Sequence, residues 1–407
     1  MTSKSGTDRR PGVRSRGLPY GRQAIDENDV SAVAEVLRSD WLTTGPKVQE
    51  FERSVAEFVG AKEGVAVSSG TAALHCAAFA AGIGPGDEVI TTPLTFVASA
   101  NCVLYQGGTP VFADVEPDTL LLDPAKVEEK ITRRTKAIIA VDYGGQPCDY
   151  DALRDIAAKH KLLVIADACH ALGATYKSRR VGSLADLTVF SFHPVKHITT
   201  GEGGMITTDN EELALRMRMF RNHGIESDFR QREKRGTWEY DMVALGCNYR
   251  LTDFQCALGL SQMKKLPEWI QRRQKIASRY DRAFASPEGV VPLARRQDRT
   301  HAYHLYVVRI DEERFEMNRG EVFIRLRGKG IGVNVHYRPV YLHSYYREHL
   351  ETGPRLCAAA EQAYDRVLSL PMFPAMSDAD VDRVIEAIGE VREGARRWNR
   401  GRRPASE

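Results

Sequence analysis

The stretch that decides the fold is Val189-Phe190-Ser191-Phe192-His193-Pro194-Val195-Lys196-His197-Ile198-Thr199-Thr200-Gly201-Glu202-Gly203-Gly204-Met205-Ile206-Thr207-Thr208. Short runs of apolar and β-branched residues at 188–190 and 205–208 flank a glycine-rich turn, and Lys196 is the only lysine between them. This pattern predicts a strand, a functional loop and a second strand. Ser191 lies five residues before Lys196, so a reactive amine and an anion-binding hydroxyl can reach one bound molecule. A solvated surface amine is the commoner role for one lysine taken alone, and the rest of the chain decides between the two.

The length and charge of the chain indicate a globular protein with two unequal domains. At 407 residues the chain suits one large domain and a smaller one. Its 57 Lys and Arg residues against 54 Asp and Glu residues give a net charge of +3, too close to balance for nucleic acid to be the main partner. Much of the positive excess lies near the ends, so we predict flexible basic tails at 1–17 and 395–407.

The seven cysteines predict neither a disulfide framework nor a metal site. Their number is odd and no two form a Cys-x-x-Cys pair, so no bound metal is expected and a reducing cytoplasm fits best. No apolar run approaches the roughly 20 residues that a membrane helix needs. The charged N-terminus lacks the apolar segment of a secretory signal. We therefore predict a cytoplasmic protein that contacts no membrane.

Residues up to about 255 alternate between short apolar runs and helical patterns. We predict strands at 64–67, 87–91, 110–113, 136–141, 162–166, 187–191 and 204–208. Helices are predicted at 26–38, 47–59, 71–81, 95–105, 149–160 and 210–221. Short buried strands separated by helices argue for a mainly parallel sheet covered on both faces, an α/β architecture. We assign residues 18–255 to this large domain.

Beyond Arg250 the pattern changes. A helical region at 252–285 contains Pro267, which predicts a break or kink. It is followed by predicted strands at 303–310 and 331–336 and by predicted helices at 319–329, 354–367 and 377–394. We assign residues 256–394 to a helical linker and a small C-terminal α+β domain.

A candidate phosphate site follows the first predicted strand. Ser69-Gly70-Thr71 leads directly from that strand into a helix. Free backbone N–H groups at a helix start, beside small side chains, bind anions well. The same residue types are also common as a plain helix cap, and only their order relative to the later motifs favours the phosphate site.

Asp167 ends a second apolar run, in the phrase Asp167-Ala168-Cys169-His170. Open α/β sheets bind ligands at the carboxyl ends of their strands. A carboxylate there keeps a pyridine nitrogen protonated, so that the ring can absorb carbanion charge. A structural aspartate that caps a loop is the alternative. With Lys196 and the Ser-Gly-Thr turn in the expected order, Asp167 favours a pyridoxal 5'-phosphate site.

Three further segments carry rings or polar groups. Phe96 follows the strand at 87–91 and either stacks on the cofactor ring or belongs to the core. Asn248-Tyr249-Arg250 precedes a helix and, as bare residues, fits a surface loop. His336-Tyr337-Arg338-Pro339 leads on to Tyr341, His343, Tyr345 and Tyr346. That density of rings and donors fits either a nucleotide-binding surface or an ordinary aromatic loop.

At these residues the sequence resembles the fold-type-I pyridoxal phosphate enzymes, and within them the DegT/DnrJ/EryC1/StrS sugar aminotransferases. The likeness runs from about Leu18 to about Ile388. It rests on Ser39-Asp40-Trp41-Leu42-Thr43-Thr44-Gly45-Pro46, Ser69-Gly70-Thr71-Ala72-Ala73-Leu74, Gly86-Asp87-Glu88-Val89-Ile90, Asp167-Ala168-Cys169-His170-Ala171, Ser191-Phe192-His193-Pro194-Val195-Lys196, Gly201-Glu202-Gly203-Gly204 and Asn248-Tyr249-Arg250. Several long matches in one order make chance similarity negligible.

The resemblance implies a role for each motif. Lys196 would form a Schiff base with the cofactor, Asp167 would pair with its pyridine nitrogen, and His170 would lie beside its ring hydroxyl. Phe96 would stack on the ring. Gly70, Thr71, Ala72 and Ser191 would hold the phosphate. Asn248 would come from the neighbouring subunit, which implies a homodimer with shared active sites. Arg250, His336 and Tyr337 are candidates for binding the amino-acid donor or the sugar nucleotide.

One branch of the family is most similar in the sequences of three segments, which are the lysine loop, residues 92–105 and residues 333–346. That branch transfers an amino group, with L-glutamate the expected donor, to C4 of a UDP-linked 4-keto-6-deoxy-N-acetylhexosamine in pseudaminic acid synthesis. Two departures, Ala166 where the family often has Glu and Tyr143-Gly144-Gly145-Gln146 where it usually has Tyr-Ala-Gly-Gln, bear on the substrate more than on the reaction.

Four alternatives compete with this substrate and activity. An aminotransferase for another nucleotide-linked keto sugar, or for a keto-cyclitol, would keep every cofactor residue and stays open. Relatives that dehydrate a deoxysugar at C3 carry His at the lysine position, so Lys196 argues against that chemistry. A cofactor-binding regulator would need a DNA-binding module, for which the short tails leave no room. A scaffold that only retains the fold would be expected to lack Lys196 or Asp167, and both are present.

Overall fold

The computed structural model describes residues 17–227, 229–286 and 288–402. Residues 1–16 and 403–407, which belong to the predicted tails, lie outside the described residues. The strands up to residue 208 are β1 (Glu63–Val67), β2 (Glu88–Thr91), β3 (Thr109–Phe112), β4 (Thr135–Val141), β5 (Leu163–Asp167), β6 (Thr175–Tyr176), β7 (Arg179–Arg180), β8 (Leu187–Ser191) and β9 (Gly204–Thr208). Every strand predicted in this region is confirmed to within one residue at each end, whereas the short hairpin β6-β7 was not predicted.

The central sheet has the strand order β1-β9-β8-β5-β4-β2-β3. Strand β9 runs antiparallel to both of its neighbours, and the other neighbouring pairs are parallel. Strands β1, β8, β5, β4 and β2 therefore all present their carboxyl ends at one edge. The predicted α/β architecture with a mainly parallel central sheet is confirmed.

Helices lie before, between and after these strands, and several have starts that the sequence encodes. They are α1 (Glu27–Leu37), α2 (Pro46–Val59), α3 (Gly70–Ala80), α4 (Ala98–Tyr105), α5 (Pro124–Glu128), α6 (Tyr150–His160) and α7 (Glu211–Phe220). Asp26 begins α1 because its carboxylate accepts hydrogen bonds from the N–H groups of Asn28 and Asp29. Helix α2 starts with Pro46 and ends at Gly60, which adopts the left-handed conformation that stops a helix.

The sheet is covered on both faces because successive residues of its strands point to opposite sides. Val65, Ile165 and Ile206 belong to one apolar cluster, together with residues of α3 and α7. Ala66, Val164 and Met205, their immediate neighbours, belong to the other, together with residues of α2 and α6. Continuous apolar strands of this kind are typical of parallel sheets buried on both sides.

The second half of the chain builds a smaller three-stranded sheet around its own apolar cluster. The elements are α8 (Phe229–Arg235), α9 (Asp253–Met263), α10 (Leu266–Ala283), β10 (Val290–Pro292), β11 (Tyr306–Ile310), α11 (Glu312–Phe315), α12 (Arg319–Gly328), α13 (Ser344–His349), α14 (Ala358–Arg366), β12 (Val367–Leu370) and α15 (Asp378–Arg402). The sheet order is β10-β11-β12, with both pairs antiparallel. Leu18 packs into this second cluster although it lies near the start of the chain. The division of the chain at residue 255 stays a prediction.

The strand predicted at 331–336 does not form. Ile331 and Asn334 make isolated bridges to two different segments, at Leu18 and Ser369 respectively. The alternating apolar residues of this run are satisfied by burial in the second cluster without a continuous partner strand. The alternation of apolar residues therefore predicted correctly which side chains are buried. It predicted wrongly that their backbone pairs with a neighbouring strand.

The other differences concern where helices begin and end. Pro267 lies in the first turn of α10, where a missing N–H is tolerated, so the break falls before it and separates α9 from α10. The helix predicted at 354–367 begins only at Ala358, and β12 follows it. Helix α15 runs to Arg402 and so extends into the predicted tail at 395–407, whose flexibility stays a prediction. Within the described residues, no helix is long and apolar enough to cross a membrane.

Candidate active site

The sequence-predicted cofactor residues converge on one edge of the central sheet. Asp167 is the last residue of β5, Ser191 is the last residue of β8, and Gly70 follows β1 after two residues. Strand β9 lies between β1 and β8, and its Gly204 pairs with both Val67 and Ser191. The register of the sheet thus brings the Ser-Gly-Thr turn next to the start of the lysine loop.

Small residues shape the candidate phosphate site. The Ser69 hydroxyl accepts a hydrogen bond from the Ala72 N–H at 3.0 Å and so caps α3. The N–H groups of Gly70 and Thr71 are in the first helical turn and have no intrahelical acceptor, so they are available to an anion. A Cβ atom on Gly70 would lie 2.9 Å from the Ser191 Cβ, so only glycine allows this close approach.

Asp167 is buried beside the phosphate site, with 6% of its surface exposed. Its Oδ2 accepts a hydrogen bond from the Ser99 hydroxyl at 2.6 Å, and its Oδ1 accepts one from the Cys169 N–H at 3.2 Å. The Ser99 hydroxyl also lies 2.7 Å from the Thr95 hydroxyl. A buried carboxylate with fixed donors is preorganised to face a cationic partner such as a pyridinium N–H. Ser99 was not predicted, because a serine inside a helix carries no motif.

Lys196 is half-buried in the loop that follows β8. The Phe192 N–H donates to the Gly203 carbonyl at 2.8 Å, and the Thr200 N–H donates to the Phe192 carbonyl at 3.0 Å, so the loop closes on itself. Burial lowers the pKa of Lys196 from its usual value, and the negative charge of Asp167 opposes that shift. The amine therefore lies within electrostatic reach of Asp167, as a shared ligand would require.

His170 and two aromatic side chains line the other side of the site. The His170 Nδ1 accepts a hydrogen bond from the Gly144 N–H at 3.3 Å, and its Nε2 lies 3.2 Å from the Tyr337 hydroxyl. The rings of Phe96 and Tyr337 are 6.4 Å apart. Phe96 is 57% exposed, so it belongs to the open face of the site rather than to the core. An exposed aromatic face at this edge can stack on a planar ligand.

His304 is the main functional candidate that the sequence did not predict. It follows the irregular segment 301–303, and its Nε2 lies 3.4 Å from the Lys196 Nζ. Its ring is 4.4 Å from the His170 ring, so His304 lies between the lysine and His170. Burial, followed by the charge of Lys196, holds the pKa of His304 well below its usual value. No spacing rule joins residues 196 and 304.

The Asn248-Tyr249-Arg250 segment lies next to the phosphate turn. The Ser68 N–H donates to the Tyr249 carbonyl at 2.8 Å. Asn248 forms an isolated bridge with Asn222, and the Arg250 guanidinium donates to the Asn222 side-chain oxygen at 2.8 Å. The roles of Asn248 at a phosphate and of Arg250 at a substrate stay predictions.

The surroundings of His336 do not favour a positively charged ring that binds an anion. It is 7% exposed, and its ring nitrogens lie 2.8 Å from the Ser369 hydroxyl and 3.3 Å from the Asn334 amide. Burial lowers the pKa of His336 to about 4, so the ring is neutral near pH 7. Its carbonyl accepts a hydrogen bond from the Tyr143 hydroxyl. His336 is therefore better suited to holding Tyr337 in the site than to binding a phosphate by charge.

The residues present fit pyridoxal phosphate. The close approach at Gly70 leaves a cradle of backbone N–H groups and a hydroxyl for a phosphate, and Asp167 supplies a fixed carboxylate for a pyridine nitrogen. The lowered pKa of Lys196 favours the neutral amine that attacks an aldehyde. An amine, a carboxylate and an anion cradle at one sheet edge are the parts that this cofactor needs.

Comparison with known proteins agrees with this geometry. SpsC of Bacillus subtilis, a spore coat polysaccharide biosynthesis protein, is 46% identical over 384 residues, which cover 94% of this chain and 99% of SpsC. The structure of Spr1654 from Streptococcus pneumoniae in its PLP form is 34% identical, with a TM-score of 0.86 over 93% of this chain and 99% of Spr1654. PseC of Helicobacter pylori, an aminotransferase involved in the biosynthesis of pseudoaminic acid, is 35% identical, with a TM-score of 0.86 over 93% of this chain and all of PseC.

The family assignment covers nearly the whole described chain. The pattern of the DegT/DnrJ/EryC1/StrS aminotransferases matches residues 23–389. Similarity of this extent, together with the amine and carboxylate at one sheet edge, identifies a transferase that uses pyridoxal phosphate. The chain belongs to the DegT/DnrJ/EryC1/StrS aminotransferase family.

Proposed function

We propose that this aminotransferase moves an amino group from L-glutamate to the C4 keto group of a UDP-linked 4-keto-6-deoxy-N-acetylhexosamine. The observation that carries the transfer itself is the placement of Lys196 and Asp167 within electrostatic reach of each other at the carboxyl edge of the sheet. The substrate is supported by the similarity to PseC and by the resemblance of the lysine loop and of 333–346 to that branch of the family. The name of SpsC points in the same direction, towards polysaccharide precursors.

The chemistry divides between the cofactor and the side chains around it. When bound, pyridoxal phosphate supplies an electron sink for charge that develops at the Cα of the donor. Lys196 Nζ takes up the proton from that carbon and later returns one, and burial favours this because it lowers the pKa of the amine towards the working pH. Asp167 provides a negative charge that the Ser99 hydroxyl holds in place. His170, anchored to the Gly144 N–H, fixes the far side of the site.

The donor and sugar sites are tested by product analysis. We would incubate the enzyme with L-glutamate and a panel of UDP- and dTDP-linked 4-keto sugars and identify amino sugars by mass spectrometry. Amination of the UDP-linked N-acetyl sugar at C4 supports the proposal. Preference for a dTDP-linked sugar, for a C3 ketone, or for scyllo-inosose would replace it with the corresponding alternative in nucleotide-sugar or cyclitol metabolism.

Lys196 is tested separately from the substrate. Lys196→Ala should abolish amino transfer and the absorbance of the covalently bound cofactor. Lys196→Arg is the matched control, because it keeps a cation at the position and cannot form the covalent bond. Transamination by Lys196→Ala at the wild-type rate would refute the assignment of Lys196 as the residue that bonds to the cofactor.

We further propose a homodimer in which each subunit contributes Asn248 to its partner's site. The segment 238–245 exposes several large apolar side chains, with Trp238 84% and Leu245 86% exposed. Isolated bridges at Asn222–Asn248 and Ile225–Met242 tie this segment to Asn248. A run of exposed large apolar side chains is typical of a protein interface, and its nearness to Asn248 supports a shared site.

Subunit complementation tests the shared site. We would co-express Lys196→Ala and Asn248→Ala chains and measure activity, with light scattering to establish the oligomeric state. If Asn248 serves the partner, a mixed dimer regains one intact site, so activity recovers although each parent is impaired. If Asn248 serves its own subunit, every site in the mixed dimer carries one defect, and no recovery occurs.

A further inference from the structure

His304 makes a direct contact with the reactive amine that the resemblance did not assign. Its Nε2 lies 3.4 Å from Lys196 Nζ, and its ring is 4.4 Å from the His170 ring and 5.8 Å from the His197 ring. His304 is buried, whereas Lys196 is half-buried, so the contact lies at the inner end of the lysine side chain's environment. Its Nδ1 is also buried and has no hydrogen-bond partner among the described residues.

The backbone around His304 is held from two sides. The Ala302 N–H donates to the Gly145 carbonyl at 2.9 Å, and the Leu305 N–H donates to the Gly144 carbonyl at 3.1 Å, so the segment 301–305 is docked on the loop that follows β4. From the opposite side, Arg273 donates to the Tyr303 carbonyl at 3.0 Å. These contacts fix His304 relative to the sheet.

Arg273 adds a permanent positive charge behind this segment. It is fully buried in α10, and Nη1 also donates to the Met372 carbonyl at 2.9 Å. No carboxylate among the described residues forms a salt bridge with it. Its charge acts on His197 and His304 and opposes protonation of both rings. A neutral ring at His304 can accept a hydrogen bond from an amine, which a protonated ring cannot do.

Several titratable or charged groups influence this pair. Those that face Lys196 or His304 are Asp167, Cys169, His170, His197, Arg273 and His336. Among them, the negative charge of Asp167 favours the protonated amine, whereas burial opposes it. His304 is the group in direct contact with Nζ.

We propose that His304 is a positioning residue for Lys196, whose amine donates a hydrogen bond to His304 Nε2 whenever it is not bonded to the cofactor. During amino transfer the lysine has to leave the cofactor and return to it. A fixed acceptor keeps the freed amine at one place and orientation between these events. This inference rests on the aminotransferase reaction and not on the identity of the sugar. A wrong assignment of the sugar substrate would therefore leave the role of His304 unaffected.

The test uses the full-length protein freed of cofactor. The pH dependence of acetylation at Lys196, followed by peptide mass spectrometry, gives the pKa of this amine without any turnover. We compare the wild type with His304→Leu, which removes the acceptor, and with His304→Gln, which retains an acceptor oxygen. His301→Gln is the matched control, because His301 lies in the same buried segment and has no contact with Lys196.

We expect the pKa of Lys196 to fall by about one unit in His304→Leu, because an ammonium group that loses a hydrogen-bond acceptor is less stable. His304→Gln should restore most of that shift, and His301→Gln should leave it unchanged. An unchanged pKa in His304→Leu, or an equal shift in the His301→Gln control, would overturn the proposal.

A measurement on the unsubstituted protein covers the case in which His304→Leu fails to fold. Nitrogen-15 NMR of histidine-labelled, cofactor-free enzyme reports which ring nitrogen carries the proton. The proposal requires the proton on Nδ1 of His304, so that Nε2 accepts from Lys196. A proton on Nε2 would show that the ring donates instead, which contradicts the proposal. With the cofactor bound, His304→Leu should lower kcat and leave the KM for the sugar nearly unchanged.

Discussion

Replacement of Gly70 by alanine tests whether the turn after β1 is a phosphate cradle. An alanine Cβ at this position would lie 2.9 Å from Ser191 Cβ, 3.2 Å from Ser191 Oγ and 3.3 Å from Cys169 Sγ. Carbon–carbon contacts this short do not occur in relaxed structures, so either Ser191 or the start of α3 has to move. Both candidates for movement belong to the site, because Ser191 ends β8 and α3 presents its first N–H groups there.

Two opposing effects set the size of the change in stability. Alanine stiffens the unfolded chain and favours the helix, which contributes up to about 1 kcal/mol. Overpacking at a tight contact costs about 1–3 kcal/mol. The net loss for Gly70→Ala is therefore about 0–3 kcal/mol, and the protein still folds. The methyl group and the displaced Ser191 hydroxyl occupy the space for the phosphate, so cofactor affinity should fall at least about tenfold, a cost of about 1.4 kcal/mol.

The assay is a titration of cofactor-free protein with pyridoxal phosphate, followed by absorbance, together with thermal unfolding of the free protein. Gly84→Ala is the matched control, because a Cβ at Gly84 meets no atom within 4 Å. We expect Gly84→Ala to bind the cofactor as the wild type does. Wild-type affinity in Gly70→Ala would refute the assignment of this turn to the phosphate, and an equal loss in Gly84→Ala would attribute the effect to general damage.

Two further predictions concern buried groups around the site. Burial lowers the pKa of His336 to about 4 and that of His301 to about 3. Between about pH 6.5 and these values, the unfolded chain therefore binds more protons than the folded protein. The free energy of unfolding falls as the pH falls through this range. For His336 the loss should reach about 2 kcal/mol at pH 5. Calorimetry from pH 7.5 to 5 should show a falling Tm with a shallower slope in His336→Gln, and equal slopes would contradict the argument. Gly145→Ala should be strongly destabilised, since Gly145 has φ 114° and its Cβ would lie 2.6 Å from the His170 carbonyl oxygen. Gly144→Ala, whose Cβ would meet nothing closer than 3.8 Å, should unfold at a higher temperature than Gly145→Ala.

The residues that sequence analysis placed at the cofactor are each marked by a pattern in the neighbouring sequence. Asp167 and Ser191 each end a short apolar run, and Gly70 follows one. In a mainly parallel sheet such positions meet at one edge, whatever the exact strand order, so local patterns were enough to predict them. The order β1-β9-β8-β5 then brings the turn at Gly70 beside Ser191.

The residues that sequence analysis missed or misjudged depend on contacts between distant segments. His304 reaches Lys196 because the segment 301–305 docks on Gly144 and Gly145, and nothing near residue 304 encodes that docking. Ring density after His336 left a binding surface and an ordinary aromatic loop both open, and Tyr341 and Tyr346 prove to be buried. Their hydroxyls donate to Glu361 and Asn101, both distant in sequence, so burial leaves them satisfied.

The same distant contacts explain how one lysine can serve as both nucleophile and proton carrier. A fully solvated lysine stays protonated near pH 7, whereas one buried without any anion nearby would rarely accept and hold a proton. Burial lowers the pKa of Lys196, while the negative charge of Asp167 limits that shift. His304, kept neutral by burial and by the positive charges of Lys196 and Arg273, can accept a hydrogen bond from the amine without adding charge. A carboxylate at position 304 would add a second anion beside Asp167, raise the pKa of Lys196 and slow proton transfer. His304→Glu should therefore move the acid limb of the pH–rate profile upward, and a profile that stays in place would show that residue 304 does not act on this amine.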